Sequence, residues 1–232
     1  RQPPDVQPNI TRAIISKMKK MGTGTKLPCT RPHLSFGGME MKIIVLGGAG
    51  DMGSRAVEDL AKKDEVAGLT IADKNIDEAK ALAHKLGDKV KALQVDATNH
   101  QSLVNAIKGH QVAASALGPF YRFEKPAVKA ALEARGDYVS ICDDYDAVKG
   151  ILPLDQQAKD LGVRVLTGMG WTPGISNMLA LKGAQDLDQV EKIHIYWAGS
   201  SADATGLAVV LHTIHIFTGQ VISYQGGQWV EI

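Results

Sequence analysis

The stretch that decides the fold is residues 41–54, MKIIVLGGAGDMGS. Its apolar run, IIVL, lacks the alternation of a half-buried strand and is typical of a strand that is buried on both faces of a parallel sheet. Gly48, Gly50 and Gly53 follow with the G-x-G-x-x-G spacing of a dinucleotide-binding turn. In such a turn the first glycine permits the bend, the second lets the backbone approach a pyrophosphate, and the third lets the helix pack closely on the strand.

An acidic residue lies where such a turn requires one. The next apolar run, residues 69–72, is followed by Asp73, which lies 20 residues beyond Gly53 (73 − 53). A carboxylate at the end of the second strand accepts hydrogen bonds from the adenosine ribose. Asp73 favours NAD over NADP because it would repel a 2′-phosphate, although the adjacent Lys74 could accommodate NADP. The predicted residues of this half of the cofactor site are Gly48, Ala49, Gly50, Asp51, Met52, Gly53, Asp73 and Lys74.

Bulk composition argues against several functional classes. The 232 residues, 44% of them hydrophobic, suffice for one good core and a smaller second one. A net charge of +1, from 26 basic and 25 acidic residues, argues against a nucleic-acid or membrane-surface role. No apolar run approaches the roughly 20 residues of a membrane helix. Cys29 and Cys142 lack metal-ligand spacing, and we expect reduced thiols in a cytoplasmic protein.

Predicted strands and helices alternate over residues 41–170. Six strands separated by helices of about 10 to 15 residues predict βαβ units and an α/β fold with a doubly wound parallel sheet, the Rossmann type. Asn75 and Thr98 are the predicted N-caps of two of the helices, because Glu or Gln follows each at the third position. The predicted strands cover 42–47, 67–72, 90–95, 112–117, 138–142 and 163–167, and the helices cover 52–63, 76–86, 98–108, 124–135 and 146–161.

Different patterns flank this core. Residues 1–40 hold five prolines and no repeated apolar face, which predicts a disordered or non-native extension; a basic transit peptide is the alternative. Residues 171–232 predict a helix capped by Thr172, an alternating strand at 190–198, an apolar helix at 204–217 and a hairpin. Because the last predicted element is a strand with an unpaired edge, we expect a second, partial α+β domain that is truncated.

Further motifs carry a resemblance to a known family. After the glycine turn come VDAT at 95–98, GPFYRF at 118–123, YVSICDD at 138–144 and PGISN at 173–177. Over residues 41–232 the chain resembles the saccharopine dehydrogenase-like proteins, which include saccharopine reductases and lysine 6-dehydrogenase. The resemblance implies NAD(P)-dependent hydride transfer at the carbon–nitrogen bond of an amino acid or its imine, in amino-acid and especially lysine metabolism. It also implies a second domain that often forms a homodimer.

Two of these motifs suit the two opposite ends of the cofactor, because open α/β sheets bind ligands beyond the carboxyl ends of their strands. Asp96 and Ala97 follow the third strand, where they suit the adenine; a helix-capping acid is the alternative for Asp96. Gly118 and Pro119 follow the fourth strand, where they suit the nicotinamide-side ribose; a plain turn is the alternative.

The candidate catalytic residues are Tyr121, Asp143 and Asp144. Reduction of an imine requires a proton on nitrogen and stabilisation of an iminium cation, and tyrosine and carboxylates can supply both. The alternative for the two aspartates is N-capping of the helix that follows them. Arg122 could clamp a carboxylate of an amino-acid-like substrate. The start of a helix offers further N–H groups to the substrate at Gly174, Ser176 and Asn177.

Two further patterns in the sequence concern other kinds of chemistry. His212 and His215 lie three residues apart in an apolar helix without an acidic or cysteine partner nearby, so no metal site is predicted. Tyr121 and Lys125 have the Tyr-x-x-x-Lys spacing of sugar dehydratases and reductases, but the Pro119 loop before them fits the first family better. A non-catalytic nucleotide-binding sensor, or an inactive truncated remnant, is the alternative function.

Overall fold

The computed structural model describes residues 41–196, 206–218, 222–225 and 228–231. The predicted extension at 1–40 lies outside the described residues. By their contacts, residues 214–218, 222–225 and 228–231 belong to a different unit from residues 41–196 and 206–213.

The six predicted strands form one parallel sheet, in the order β3-β2-β1-β4-β5-β6. The order reverses between β1 and β4, and such a reversal opens the crevice in which α/β sheets bind ligands. The doubly wound Rossmann-type sheet is therefore confirmed. Its strands are β1 (Met41–Leu46), β2 (Val66–Asp73), β3 (Val90–Gln94), β4 (Val112–Ser115), β5 (Asp137–Ser140) and β6 (Val165–Leu166).

The first strand is buried on both faces, as its unbroken apolar run predicts. Ile44 and Leu46 pack into one apolar cluster, whereas Ile43 and Val45 pack into a second cluster on the opposite face of the sheet. Each fully buried side chain of this size contributes about 1.5–3 kcal/mol of transfer free energy. β1 therefore anchors the glycine turn at its carboxyl end to both layers of helices.

Helices connect the strands at nearly the predicted positions, with two differences. The helix predicted at 124–135 begins earlier, at Phe120, and the helix predicted at 146–161 is broken by a 3₁₀ turn at Leu152–Leu154. Pro153 lies in that turn, and proline has no N–H to continue the ladder of an α-helix. The helices are α1 (Asp51–Leu60), α2 (Ile76–Leu86), α3 (His100–Ile107), α4 (Phe120–Ala134), α5 (Tyr145–Ile151) and α6 (Asp155–Leu161).

One of the two predicted N-caps is correct. The Asn75 side chain accepts the N–H of Glu78 at the start of α2. Thr98 does not cap α3, because its N–H and its hydroxyl both donate to the carboxylate of Asp96. Asn99 caps α3 instead.

Beyond the sheet, α7 (Ile175–Gln185) and α8 (Leu207–Thr218) are present, but the predicted strand is wrong over its described part. Residues 190–196 have no regular secondary structure, and 197–198 lie outside the described residues. An alternating pattern forms a strand only where another edge is available to pair with it. The predicted hairpin is present as β7 (Ile222–Gln225) and β8 (Gln228–Glu231), which pair antiparallel. Among the described helices, none has the length and apolar character to cross a membrane.

Candidate functional site

The glycine turn joins β1 to α1 at the crevice of the sheet. The N–H groups of Gly47 and Gly48 donate to the carbonyl of Ala72 at 2.8 and 3.3 Å, so the turn is tied to the end of β2. α1 begins with Gly50 at its N-cap, and no side chain caps it there. An uncapped helix start presents backbone N–H groups and the positive end of the helix dipole, which together favour an anion.

The three glycines of the motif differ in how much room each leaves for a side chain. A methyl group added at Gly53 would lie 2.0 Å from the carbonyl oxygen of Gly47, so only glycine lets α1 pack this closely on the turn. At Gly48 the same addition would lie 2.9 Å from the oxygen of Val45. At Gly50 it would meet nothing nearer than 3.4 Å, so the space in front of the helix start is open. The turn therefore fits the pyrophosphate of NAD(P), which needs that space.

Asp73 connects the end of β2 to the glycine turn. Its carboxylate accepts the N–H of Ala49 at 3.1 Å and the N–H of Asn75 at 3.0 Å. The carboxylate thus lies beside the turn, where the adenosine ribose of a bound dinucleotide would be. Asp96, beyond β3, forms a local turn in which hydrogen bonds from Thr98 lower the pKa of its carboxyl. The alternative interpretation of Asp96 as a helix-capping acid is wrong, because Asn99 caps α3.

The loop after β4 leads directly into a helix. Pro119 follows a cis Gly118–Pro119 bond and occupies the N-cap of α4 without capping it through a side chain. Tyr121 and Arg122 therefore lie in the first turn of α4, where the sequence predicts a loop. The guanidinium of Arg122 lies 5.4 Å from the ring centroid of Phe123, a distance at which a cation–π contact forms.

Asp144 connects three elements. Its side chain has no solvent exposure, and one carboxylate oxygen accepts the N–H of Tyr121 at the start of α4 at 2.7 Å. The other oxygen lies 2.6 Å from Nδ1 of His212 in α8, which donates to it. Asp144 occupies the N-cap position of α5, but its side chain makes no capping bond there. The predicted alternative, capping of the following helix, is therefore wrong: the side chain caps α4.

His212 also faces Asp143. Its Nε2 lies 3.5 Å from a carboxylate oxygen of Asp143, whose side chain is 38% exposed. Burial raises the pKa of Asp143 above its ordinary value, nearby Asp144 raises it further, and His212 opposes both. The sequence-based expectation that His212 has no acidic partner is wrong. The ligand-type atoms of Asp143, Asp144 and His212 lie within 4.8 Å of one another.

A buried acid that is not among the predicted site residues supports this group. Glu124 of α4 is 1% exposed and accepts hydrogen bonds from the hydroxyls of Tyr138, Ser140 and Thr167 at 2.8, 2.6 and 2.9 Å. These contacts join α4 to β5 and to the segment after β6. A glutamate on the apolar face of a predicted helix was the available signal, because Glu124 shares that face with Ala127, Val128 and Ala131.

Cys142, between Ser140 and the two aspartates, is not a nucleophile. Burial, together with the charge of Glu124, raises the pKa of its thiol to about 12. The thiolate is the reactive form of cysteine, so this residue stays inert at neutral pH.

The PGISN motif forms a tight turn beside the end of β5. Gly174, with φ +126°, is the N-cap of α7, which contradicts the predicted cap at Thr172. Its N–H donates to the side-chain oxygen of Asn177, to which the Ser176 hydroxyl also donates. The turn approaches β5 through Gly170, because a methyl group added there would lie 3.4 Å from Ile141. The structure thus brings this motif to the end of the sheet where the aspartates lie.

Comparison with known proteins assigns the sheet to a family. The family model described as the saccharopine dehydrogenase NADP binding domain matches residues 43–166, more than half of the chain. The chain belongs to this family. The matched residues include the glycine turn and all six strands except the first two residues of β1, and the family identifies the cofactor class as NAD(P).

Similar proteins differ in what their names say they do. A trans-acting enoyl reductase of Mycobacterium ulcerans is 26% identical over 136 residues, which are 57% of this chain and 32% of that protein. A lipid droplet localized protein of Caenorhabditis elegans is 27% identical over 139 residues, which are 56% of this chain and 33% of that protein. The match to each spans about a third of the relative's length.

A solved structure supports the fold. Saccharopine dehydrogenase (L-Glu forming) from Saccharomyces cerevisiae superposes with a TM-score of 0.55 at 25% identity. The match covers 63% of this chain and 31% of that one. The NADP-binding domain of this chain is thus an oxidoreductase-type Rossmann domain.

Proposed function

We propose that the chain is the cofactor-binding part of an NAD(P)-dependent oxidoreductase that acts on the carbon–nitrogen bond of an amino acid or its imine. The observation that carries this proposal is that two carboxylates, those of Asp143 and Asp144, lie close together directly beyond β5. When bound, the nicotinamide ring supplies or accepts the hydride. Gly48, Gly50, Asp73 and Gly118 are the residues that would hold the cofactor.

The charge of this group favours a nitrogen substrate. Reduction of an imine passes through an iminium cation, which two nearby carboxylates stabilise. Reduction of an enoyl group instead builds negative charge on a carbonyl oxygen, and an anionic pair opposes that charge. The raised pKa of Asp143 suits a carboxyl that exchanges protons, and its exposure connects it to solvent.

Groups that could hold a substrate carboxylate lie near the same end of the sheet. Arg122 lies in the first turn of α4, one residue after the N–H that Asp144 accepts. Ser176 and Asn177 lie in the turn that packs beside β5. In this proposal a substrate carboxylate binds Arg122 and displaces the internal bond between Ser176 and Asn177. Tyr121 is then the second candidate for proton transfer.

The test compares two substrate classes on the same protein. Binding of NADH and NADPH is measured by fluorescence titration, and their oxidation is then followed with two acceptors. One acceptor is an imine formed in situ from glutamate and an aldehyde, and the other is an α,β-unsaturated thioester. Oxidation with the imine supports the proposal, and oxidation with the thioester alone would replace it by the enoyl reductase activity named in the relatives. A chain that binds neither nucleotide contradicts both.

A further inference from the structure

The first two turns of α8, together with Gly206 before them, contact the carboxyl ends of three strands. We call residues 206–213 the α8 start. A methyl group added at Gly206 would lie 2.8 Å from a carboxylate oxygen of Asp51, which follows β1. A methyl group added at Gly118, which follows β4, would lie 2.8 Å from Cβ of Ala208. His212 bonds to Asp144, which follows β5.

The spacing of these contacts agrees with a helix that crosses the strand ends. β4 lies between β1 and β5, so the outer two strands are about 10 Å apart at an interstrand distance of about 4.8 Å. Six residues of helix, from position 206 to position 212, rise about 9 Å. The α8 start therefore lies across the crevice, from the glycine turn to the aspartates.

This is the path of the nicotinamide half of a dinucleotide, which runs from the glycine turn across the switch point of the sheet. A ribose or nicotinamide ring needs a contact distance of about 3.5–4.0 Å on each of its faces. Ala208 leaves no such gap above Gly118, because even one added methyl group would overlap with it. A ring cannot lie between the two residues while the helix holds this position.

We propose that the α8 start occupies the nicotinamide half of the cofactor cleft in the cofactor-free chain, and that NAD(P) must displace it in order to bind. The inference rests on the proposed function in one respect, because it requires that the cleft bind a dinucleotide. The adenosine half, at Asp73 and the open space before Gly50, stays accessible.

The hydrogen bond between His212 and Asp144 stabilises the closed state, in which the α8 start occupies the cleft. Asp144 has no solvent exposure, so its carboxylate depends on His212 and on the N–H of Tyr121 for compensation. Loss of the imidazole leaves one oxygen of a buried carboxylate without its partner, which favours the open state. A cleft that is open only part of the time weakens the apparent affinity by the open fraction.

The test uses His212→Ala and Ala208→Leu, both of which disfavour the closed helix, with Leu207→Ala as the matched control. Leu207 lies on the same helix and is 71% exposed. We expect the two test variants to bind NADH or NADPH about tenfold more tightly than the parent, the scale of one charge-assisted hydrogen bond. The control should bind as the parent does. Adenosine diphosphate, which lacks the nicotinamide half, should bind all four proteins equally.

Amide hydrogen exchange shows whether bound cofactor displaces the α8 start. Addition of the dinucleotide to the parent should increase exchange in residues 206–213, since binding displaces them. A decrease in exchange would overturn the inference, because the helix would then cover the bound cofactor instead of being displaced by it. Equal or weaker dinucleotide binding by both test variants would also overturn it. If adenosine diphosphate and the dinucleotide bind no variant, the proposed function fails; if both bind every variant alike, only this inference fails.

Discussion

The carboxylate of Asp144 accepts the backbone N–H of Tyr121 at 2.7 Å, across the gap between two neighbouring strand–helix loops. Asp144 follows β5, whereas Tyr121 lies in the first turn of the helix that follows β4. A carboxylate at a helix start satisfies an unpaired N–H and interacts favourably with the helix dipole. The bond therefore holds the loops after β4 and β5 together, and both loops contribute to the candidate site.

Replacement of Gly50 by valine should abolish dinucleotide binding without unfolding the protein. A side chain at this position enters the space in front of α1, where the pyrophosphate would lie, and its Cβ meets no protein atom nearer than 3.4 Å. We expect a loss in affinity of at least about tenfold by titration calorimetry, with an unchanged melting temperature. Gly53→Val is the contrasting variant, because it should unfold the domain through a 2.0 Å contact with Gly47. Normal binding by Gly50→Val would show that the turn does not hold the phosphates.

Asp73 should set the preference for NAD over NADP. Its carboxylate would repel a 2′-phosphate, and Asp73→Asn removes the charge but keeps an oxygen that can accept the N–H of Ala49. We expect the parent to bind NADH more tightly than NADPH, and the variant to shift this ratio about tenfold towards NADPH. The family model is named for NADP, so a parent with a strong preference for NADPH would refute this role of Asp73.

Glu124 should be among the most important residues for stability outside the apolar clusters. Glu124→Ala removes the acceptor that the hydroxyls of Tyr138, Ser140 and Thr167 share, and it removes packed atoms; only one of the Ser140 and Thr167 hydroxyls can then donate to the other. At about 1–3 kcal/mol for each of the two hydroxyls left without an acceptor, the free energy of unfolding should fall by at least about 2 kcal/mol. Denaturant titration measures the change. Glu133→Ala, on the same helix but with a 54% exposed side chain, is the control and should change the stability little.

Asp143→Asn should stabilise the protein at neutral pH and make no difference in acid. The folded state raises the pKa of Asp143, so ionisation favours the unfolded chain. That penalty is absent below the ordinary pKa of 3.8, grows as the pH rises, and is complete above the raised pKa of the folded state. Melting temperatures of parent and variant should therefore coincide near pH 3 and separate towards pH 7. A variant that is less stable than the parent at pH 7 would show that the charge of Asp143 is favourable in the fold.

Local sequence patterns were sufficient to predict most of the secondary structure of the NADP-binding domain. The unbroken apolar run of β1 and the spacing of Gly48, Gly50 and Gly53 depend on neighbours within about a dozen residues. The six strands were predicted for the same reason, and their boundaries differ from the predicted ones by at most two residues. Errors arose where two local signals competed, as at Thr98 and Asn99, where the threonine bonds to Asp96 and leaves the cap to the asparagine.

The sequence by itself determined the Rossmann sheet, the glycine turn and the acid at Asp73, because periodicity and turn chemistry are local properties. Only the tertiary structure decided the partners of Asp144: the N–H of Tyr121, 23 residues away, and the imidazole of His212, 68 residues away. It also decided that Glu124 accepts hydrogen bonds from three hydroxyls in two other segments. The physical reason is that a buried charge must find its hydrogen-bond partners wherever the packed chain places them, and sequence spacing does not record which distant groups share an interior.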